Sequence, residues 1–366
     1  MSAAGPSQGA NCPEARSAEG SPGCAAGPPQ GANCPEARSA EGSPVRAAGP
    51  PQGANCPEAR SAEGSPVRAA PHWLRQPERG SSFLMRAMTL VALRVGRGAG
   101  RTLLYPICAY FLLFGGAARN ASRDYLRRVR GQDAGWRDVF THYHRFAETI
   151  FDRVFLLAGR DRHFRFEIDG IDELLAVLAE GRGCLLFGAH FGSFEVLRAL
   201  GAKYSPARIR VLMHEANARK INVTLGALNP GAYQDVIVLG RAQTMLEVRD
   251  AVRSGEIVGL LADRAVADDR VVMCDFLGAK AAFPQGPFIR AALLETPIVL
   301  FSAACRGNGS YVVRFERFPA DAGASRDAAA IAERCQRYAR WLEDKCRGDP
   351  FNWFNFYDFF APAPRR

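Results

Sequence analysis

None of the ten cysteines in this 366-residue chain falls in a CxxC pair or in a Cys/His spacing suited to a structural metal. The six beyond residue 70 (Cys108, Cys184, Cys274, Cys305, Cys335 and Cys346) are scattered, which excludes a disulfide framework and reads as reduced cytoplasmic thiols. Residues 1–70 lack any apolar period. They repeat "AAGPPQGANCPEARSAEGSPVR" with Cys12, Cys34 and Cys56 spaced 22 apart, so the units have no face on which to stack and are expected to be disordered. Near-identical copies point either to recent duplication or to a start codon placed too far upstream, with Met85 or Met88 as the true start. The apolar run from Thr102 to Ala118 only reaches the lower limit of a bilayer span, about 17 residues. Around Ser193 the chain reads "GSF", which is not the G-x-S-x-G elbow of a serine hydrolase.

What the chain does have is localised positive charge. Its net charge is +10, and residues 1–70 contribute −1 of it, from 5 Arg and 6 Glu. Residues 71–130 hold 11 Arg against Glu78 and Asp124, a net +9. Within that stretch "TLLYPICAYFLLFGGAA", Thr102 to Ala118, is 17 residues without a charge. Arginines flanking an apolar segment suit a helix that dips into or lies along the cytoplasmic leaflet. The alternative is a buried core helix broken at Pro106. Nucleic-acid binding, the usual inference from a pI near 9.3, is not expected, because the arginines are not interleaved with a groove-reading motif.

Three regions follow: repeats at 1–70, a basic apolar anchor at 71–130, and a folded domain at 131–366. The spacing of Val139, Phe140, Tyr143, Phe146, Ile150, Val154 and Phe155 predicts an amphipathic helix over Trp136 to Gly159. Thereafter strands and helices alternate. "FRFEIDG", "CLLF", "ARIRVLMH", "DVIVLG", "EIVGLLAD" and "PIVLFSAAC" read as strands, and the segments between them, including "ANARKINVTLGAL", read mostly as helices. "YVVRFERF" is expected to close one edge, and a surface helix from about Ala324 to Cys346 follows. This pattern predicts an α/β fold with a largely parallel central sheet flanked by helices.

In such sheets reactive groups gather beyond the carboxyl ends of the strands. "GAHFGSFE" leaves the strand at Cys184 to Phe187 and presents His190 and Glu195 there. On a continuous helix the two would lie about 140° apart. If Gly192 permits a turn instead, Glu195 sits in the first helical turn and can reach back to orient His190 as a general base. The same two residues also read as an ordinary loop histidine and an acid that complements the helix dipole. "LLADR" leaves Asp263 and Arg264 at another strand end, and Phe283, Pro284 and Gly286 precede the next helix, where amides favour an anionic or carbonyl group. Asp263 is expected to hold a basic neighbour, contact a polar head group or cap a turn.

In this order "GAHFGSFE", "GEIVGLLADR" and "FLGAKAAFPQGP" resemble the late acyltransferases of lipid A biosynthesis, within the wider H-x4-D/E glycerolipid acyltransferase group, over roughly residues 73–360. The resemblance implies direct transfer of a fatty acyl group from an acyl carrier protein or coenzyme A thioester to a membrane-lipid hydroxyl. It implies His190 and Glu195 as catalytic residues, no cofactor or metal, and work at the cytoplasmic face of the inner membrane. One position departs from the family: where these enzymes usually carry Arg after the second strand, this chain has His214, with Arg219 and Lys220 nearby. That favours an acceptor other than a phosphorylated lipid A precursor, since imidazole lacks the planar donor fork of guanidinium. The aromatic "FNWFNFYDFF" looks more like the branch acylating aryl polyene type lipids, and its seven aromatics are expected to face lipid, line an acyl groove or, above all, finish the core. The competing functions are a lipid ester or thioester hydrolase and a non-catalytic membrane scaffold of the same fold.

Overall fold

The computed structural model describes residues 94, 96–204, 207–214, 235–265, 269–319 and 326–360. The repeats, the expected helix at "ANARKINVTLGAL", and Arg219 and Lys220 lie outside the described residues.

The apolar segment forms helix α1 (Arg97–Phe114), which runs through Pro106 and stops at Gly115. A Cβ at Gly115 would sit 2.5 Å from the carbonyl oxygen of Phe111, so the tight end of α1 needs glycine. Helix α2 (Gly116–Arg130) leaves at 96° to α1. Among the described residues no single helix is long and apolar enough to cross a membrane; the bent pair meets that test only together. Nor is α1 a buried core helix. Only Leu104 and Cys108 of it are buried, while Leu103, Tyr105, Tyr110, Phe111, Leu113 and Phe114 are exposed. Helix α3 (Trp136–Leu157) is the expected amphipathic helix, capped at its start by Asp138, which accepts from the Gly135 amide at 3.0 Å.

The sheet is built from β1 (Arg165–Asp169), β2 (Cys184–Gly188), β3 (Ile209–His214), β4 (Val236–Leu239), β5 (Ile257–Leu261), β8 (Ile298–Gly307) and β9 (Ser310–Arg317). Its order is β1-β9-β8-β2-β5-β3-β4. Every pairing is parallel except β8 with β9. The "YVVRFERF" strand is therefore not the edge: β1 pairs beyond it. Helices α4 (Ile171–Ala179), α5 (Glu195–Tyr204), α6 (Thr244–Arg253) and α7 (Gly286–Leu294) connect the strands.

Strand β2 is buried along its whole length, as expected of a central parallel strand covered on both faces. Its side chains alternate between two cores. Leu185 and Phe187 join one with α6, α7 and Val139 of α3; Cys184 and Leu186 join the other with Phe151 and Phe155 of α3 and Val196 of α5. An antiparallel hairpin that the sequence pattern did not suggest, β6 (Val271–Phe276) with β7 (Ala279–Pro284), stands apart from the sheet. Helix α8 (Ala328–Gly348) covers it. Gln336 exchanges hydrogen bonds with the backbone of Asp275, and Glu343 accepts from the Leu277 amide. The helix is thus more than a surface element, since Ile331, Cys335, Tyr338, Leu342 and Cys346 are all buried. All six cysteines outside the repeats are buried and free.

Candidate active site

Two adjacent parallel strands build the site. Strands β2 and β5 pair with Gly188 opposite Leu261, and the Ala262 amide extends the ladder by donating to the Gly188 carbonyl at 3.0 Å. Continuing each chain by two residues brings His190 and Asp263 side by side at the carboxyl edge. His190 Nδ1 lies 2.9 Å from Asp263 Oδ1, and the His190 amide donates to Oδ2 at 3.1 Å. The Trp353 indole Nε1–H donates to the same Oδ2 at 3.1 Å.

Asp263 is fully buried, whereas the His190 side chain keeps 35% of its exposure. Burial alone would raise the aspartate's pKa, but His190, Arg264 and the indole together hold it well below the ordinary carboxylate range. It is thus an anion with only lone pairs to offer. That assigns the proton to His190 Nδ1 and leaves Nε2 with a lone pair. Burial, and secondarily Arg264, lower the imidazole's pKa, partly opposed by Asp263, so the neutral base form prevails at neutral pH. This is the base-and-orienter arrangement of acyl-transfer enzymes.

The carboxylate hydrogen-bonded to His190 is Asp263, whereas Glu195, the partner expected from sequence, lies against another element. Glu195 opens α5 and pairs with Arg153 Nη2 of α3 at 2.5 Å. The turn explains the difference. Gly192 has φ +62°, and a Cβ there would sit 1.7 Å from the Ala303 carbonyl oxygen. Residues 191–193 are pinned between β8 and the carboxy-terminal strap. Ser193 N donates to Ala303 O at 3.0 Å, and Gly192 N donates to Asn352 O at 2.8 Å. Helix α5 starts from that fixed turn with its first carboxylate against α3. Ser193 is 1% exposed, so it offers no accessible nucleophile.

Arg264 follows Asp263 beyond the end of β5. Its Nη2 donates to the Phe354 carbonyl at 2.6 Å and its guanidinium lies 5.4 Å from the Tyr357 ring centre. Gly286 starts α7, whose Phe288 packs on Phe187 of β2, so this helix terminus lies near the carboxyl end of β2. Pro284, by contrast, is buried at the end of β7 opposite Val271 and serves the hairpin. His214 ends β3, one strand beyond β5, and is half-buried; among the described residues no hydrogen bond joins it to His190. No group of three or more His, Cys, Asp or Glu suited to a metal occurs among the described residues.

The aromatic segment at 350–360 forms a strap across the fold. In the structure Trp353 is fully buried and Phe354 and Phe359 nearly so, and the same segment completes the site. Phe191 forms a bridge with Trp353, and the Phe354 amide donates to the His190 carbonyl at 2.8 Å. Asn352 locks the strap to β8 by accepting from the Cys305 amide at 2.7 Å and donating to its carbonyl at 3.2 Å.

No individual curated protein matches the chain. The family model described as bacterial lipid A biosynthesis acyltransferase matches residues 87–360, about three quarters of the chain and every element of the site. The expected kinship and enzyme class both hold: the chain belongs to the bacterial lipid A biosynthesis acyltransferase family, and it is an acyltransferase.

Proposed function

We propose that the protein moves a fatty acyl group from an acyl carrier protein or coenzyme A thioester to a hydroxyl of a lipid at the cytoplasmic face of the inner membrane. The observation that carries this is the buried Asp263 holding a partly open His190 with its Nε2 unprotonated. Nε2 takes the acceptor's hydroxyl proton as that oxygen attacks the thioester carbonyl. The tetrahedral intermediate then expels the thiolate, which receives the proton back from the imidazolium. The products are an acyl ester and a free thiol. Arg264, beside His190, supplies positive charge for the developing oxyanion. Glu195, through Arg153, holds the first turn of α5 behind the base.

The exposed apolar face of α1, with Arg119 and Arg123 of α2 just past the bend, supports docking on an anionic leaflet. His214 in place of arginine supports a non-phosphorylated acceptor. The test offers purified full-length protein both donors and, in vesicles, phosphorylated and non-phosphorylated hydroxyl lipids, with products read by mass spectrometry. The expected product is an ester of the non-phosphorylated lipid, with His214→Arg shifting preference toward the phosphorylated one. Efficient acylation of the phosphorylated lipid by the unmodified protein would refute the acceptor assignment. Free fatty acid as the sole product would show a hydrolase instead.

A further inference from the structure

We propose that His142 is a positioning residue for the catalytic pair, acting through Trp353. This goes deeper into the reading of His190 as general base and rests on it.

His142 projects from α3 and is fully buried. Its Nε2 lies 2.9 Å from the Trp353 carbonyl oxygen, and its Nδ1 lies 2.8 Å from Ser122 Oγ of α2. A carbonyl only accepts, so the proton is on Nε2; the Nδ1 lone pair then accepts from the Ser122 hydroxyl. Both ring nitrogens are satisfied by the neutral tautomer, and burial lowers the imidazole's pKa to about 4, so it stays neutral. The ring is enclosed by Tyr125, Phe354 and Phe356 at centroid distances of 5.4, 6.2 and 4.8 Å.

From Trp353 the line continues to the reacting group, since the indole of the same residue donates to Asp263 Oδ2. Its backbone bridges Phe191, which follows His190 in the chain. Ser122, His142, Trp353, Asp263 and His190 thus form one run of hydrogen bonds from α2 and α3 to the base. A phenylalanine would fill the site of His142 without the desolvation cost of an imidazole. What it would not supply is the N–H that fixes the Trp353 carbonyl, and with it the angle at which the indole meets Asp263.

The other groups facing His190 and Asp263 are Arg264, Tyr338 and Cys346 of α8, and Tyr357 of the strap. All remain in place in the variants below.

The test uses the full-length protein and compares wild type with Trp353→Phe, His142→Phe and His142→Gln. Three quantities are read: kcat and KM for acyl transfer, the His190 ring titration by NMR, and thermal stability. Trp353→Phe removes the indole N–H, so the Asp263 charge acts more strongly on His190. Its titration is expected to move upward by about half a pH unit, with kcat falling roughly tenfold or more and KM little changed. His142→Phe is expected to move both in the same direction. His142→Gln, which keeps an N–H donor, is expected to restore most of each.

If the His190 titration matches wild type in every folded variant, or kcat falls only in step with stability and glutamine gives no rescue, the proposal is overturned. Should His142→Phe fail to fold, Trp353→Phe and His142→Gln decide between the outcomes. The ring titration is read without turnover, so it tests positioning even if His190 proves not to be the base.

Discussion

Replacing Asp263 with asparagine changes one oxygen into an NH2 group at a site where all three neighbours donate. The His190 amide, His190 Nδ1–H and the Trp353 indole all point at its carboxylate. Whichever way the new amide turns, a donor meets a donor. If Nδ2 takes the Oδ2 position, it faces both the His190 amide and the indole and loses two hydrogen bonds. If it takes the Oδ1 position it faces only the ring, and the conflict is relieved when the ring proton moves to Nε2. The second arrangement sacrifices less, and it leaves Nε2 protonated and unable to accept the acceptor's proton. The expected loss in kcat is therefore on the order of 10³ to 10⁴, the scale seen when a buried orienting aspartate becomes asparagine. Losing the carboxylate also removes the influence that raises the His190 pKa, so the residual activity's acid limb moves to lower pH. Glu195→Gln is the comparison. It weakens a part-exposed pair with Arg153, worth about 1 kcal/mol or less, so its rate should fall by less than about tenfold. Steady-state acyl transfer with both variants, alongside far-ultraviolet circular dichroism to verify folding, reads the ratio. A larger loss for Glu195→Gln than for Asp263→Asn would refute the assignment of Asp263 as the orienting group.

Two further outcomes follow from the same structure. Leu113 and Phe114 are 68% and 64% exposed at the end of α1. Replacing both with glutamate is expected to cost about 2 kcal/mol or more of membrane partition, roughly 30-fold, read by co-sedimentation with anionic vesicles; unchanged sedimentation would place the contact elsewhere. His142 has a pKa of about 4 when folded against an ordinary 6.5, so the folded chain resists protonation that the unfolded chain accepts. Its contribution to stability is full above about pH 6.5 and is lost as pH falls toward 4, by roughly 3 kcal/mol, and His142→Gln should flatten that part of a melting-temperature profile. A variant as pH-sensitive as wild type would show that other groups cause the loss.

The strands of the sheet were legible because each is a short apolar run between breakers, and β2 and β5 are nearly uninterrupted. The β6–β7 hairpin was not. It presents one face to α8 and the other outward, and its second strand, "AKAAFP", is alanine-rich, so it carries little of the β-branched signal of a strand. His190, Asp263 and Arg264 were legible as strand-end residues. Their pairing was not, because Asp263 is 73 residues from His190 and meets it only through the β2–β5 register. Sequence proximity favoured Glu195, five residues away, until the Gly192 turn directed it toward α3. The role of Trp353 depended on a strap folding back across 162 positions to Phe191's side, in a decapeptide whose seven aromatics also read as simple core.

The central claim is that His190 Nε2 removes the proton from a lipid hydroxyl. Its most direct test is turnover of full-length His190→Ala, shown to fold as wild type does, with an acyl thioester and a vesicle-borne hydroxyl lipid, the ester counted by mass spectrometry. The account predicts a rate at least about 100-fold below wild type, with KM for the lipid nearly unchanged. Turnover close to wild type would contradict it.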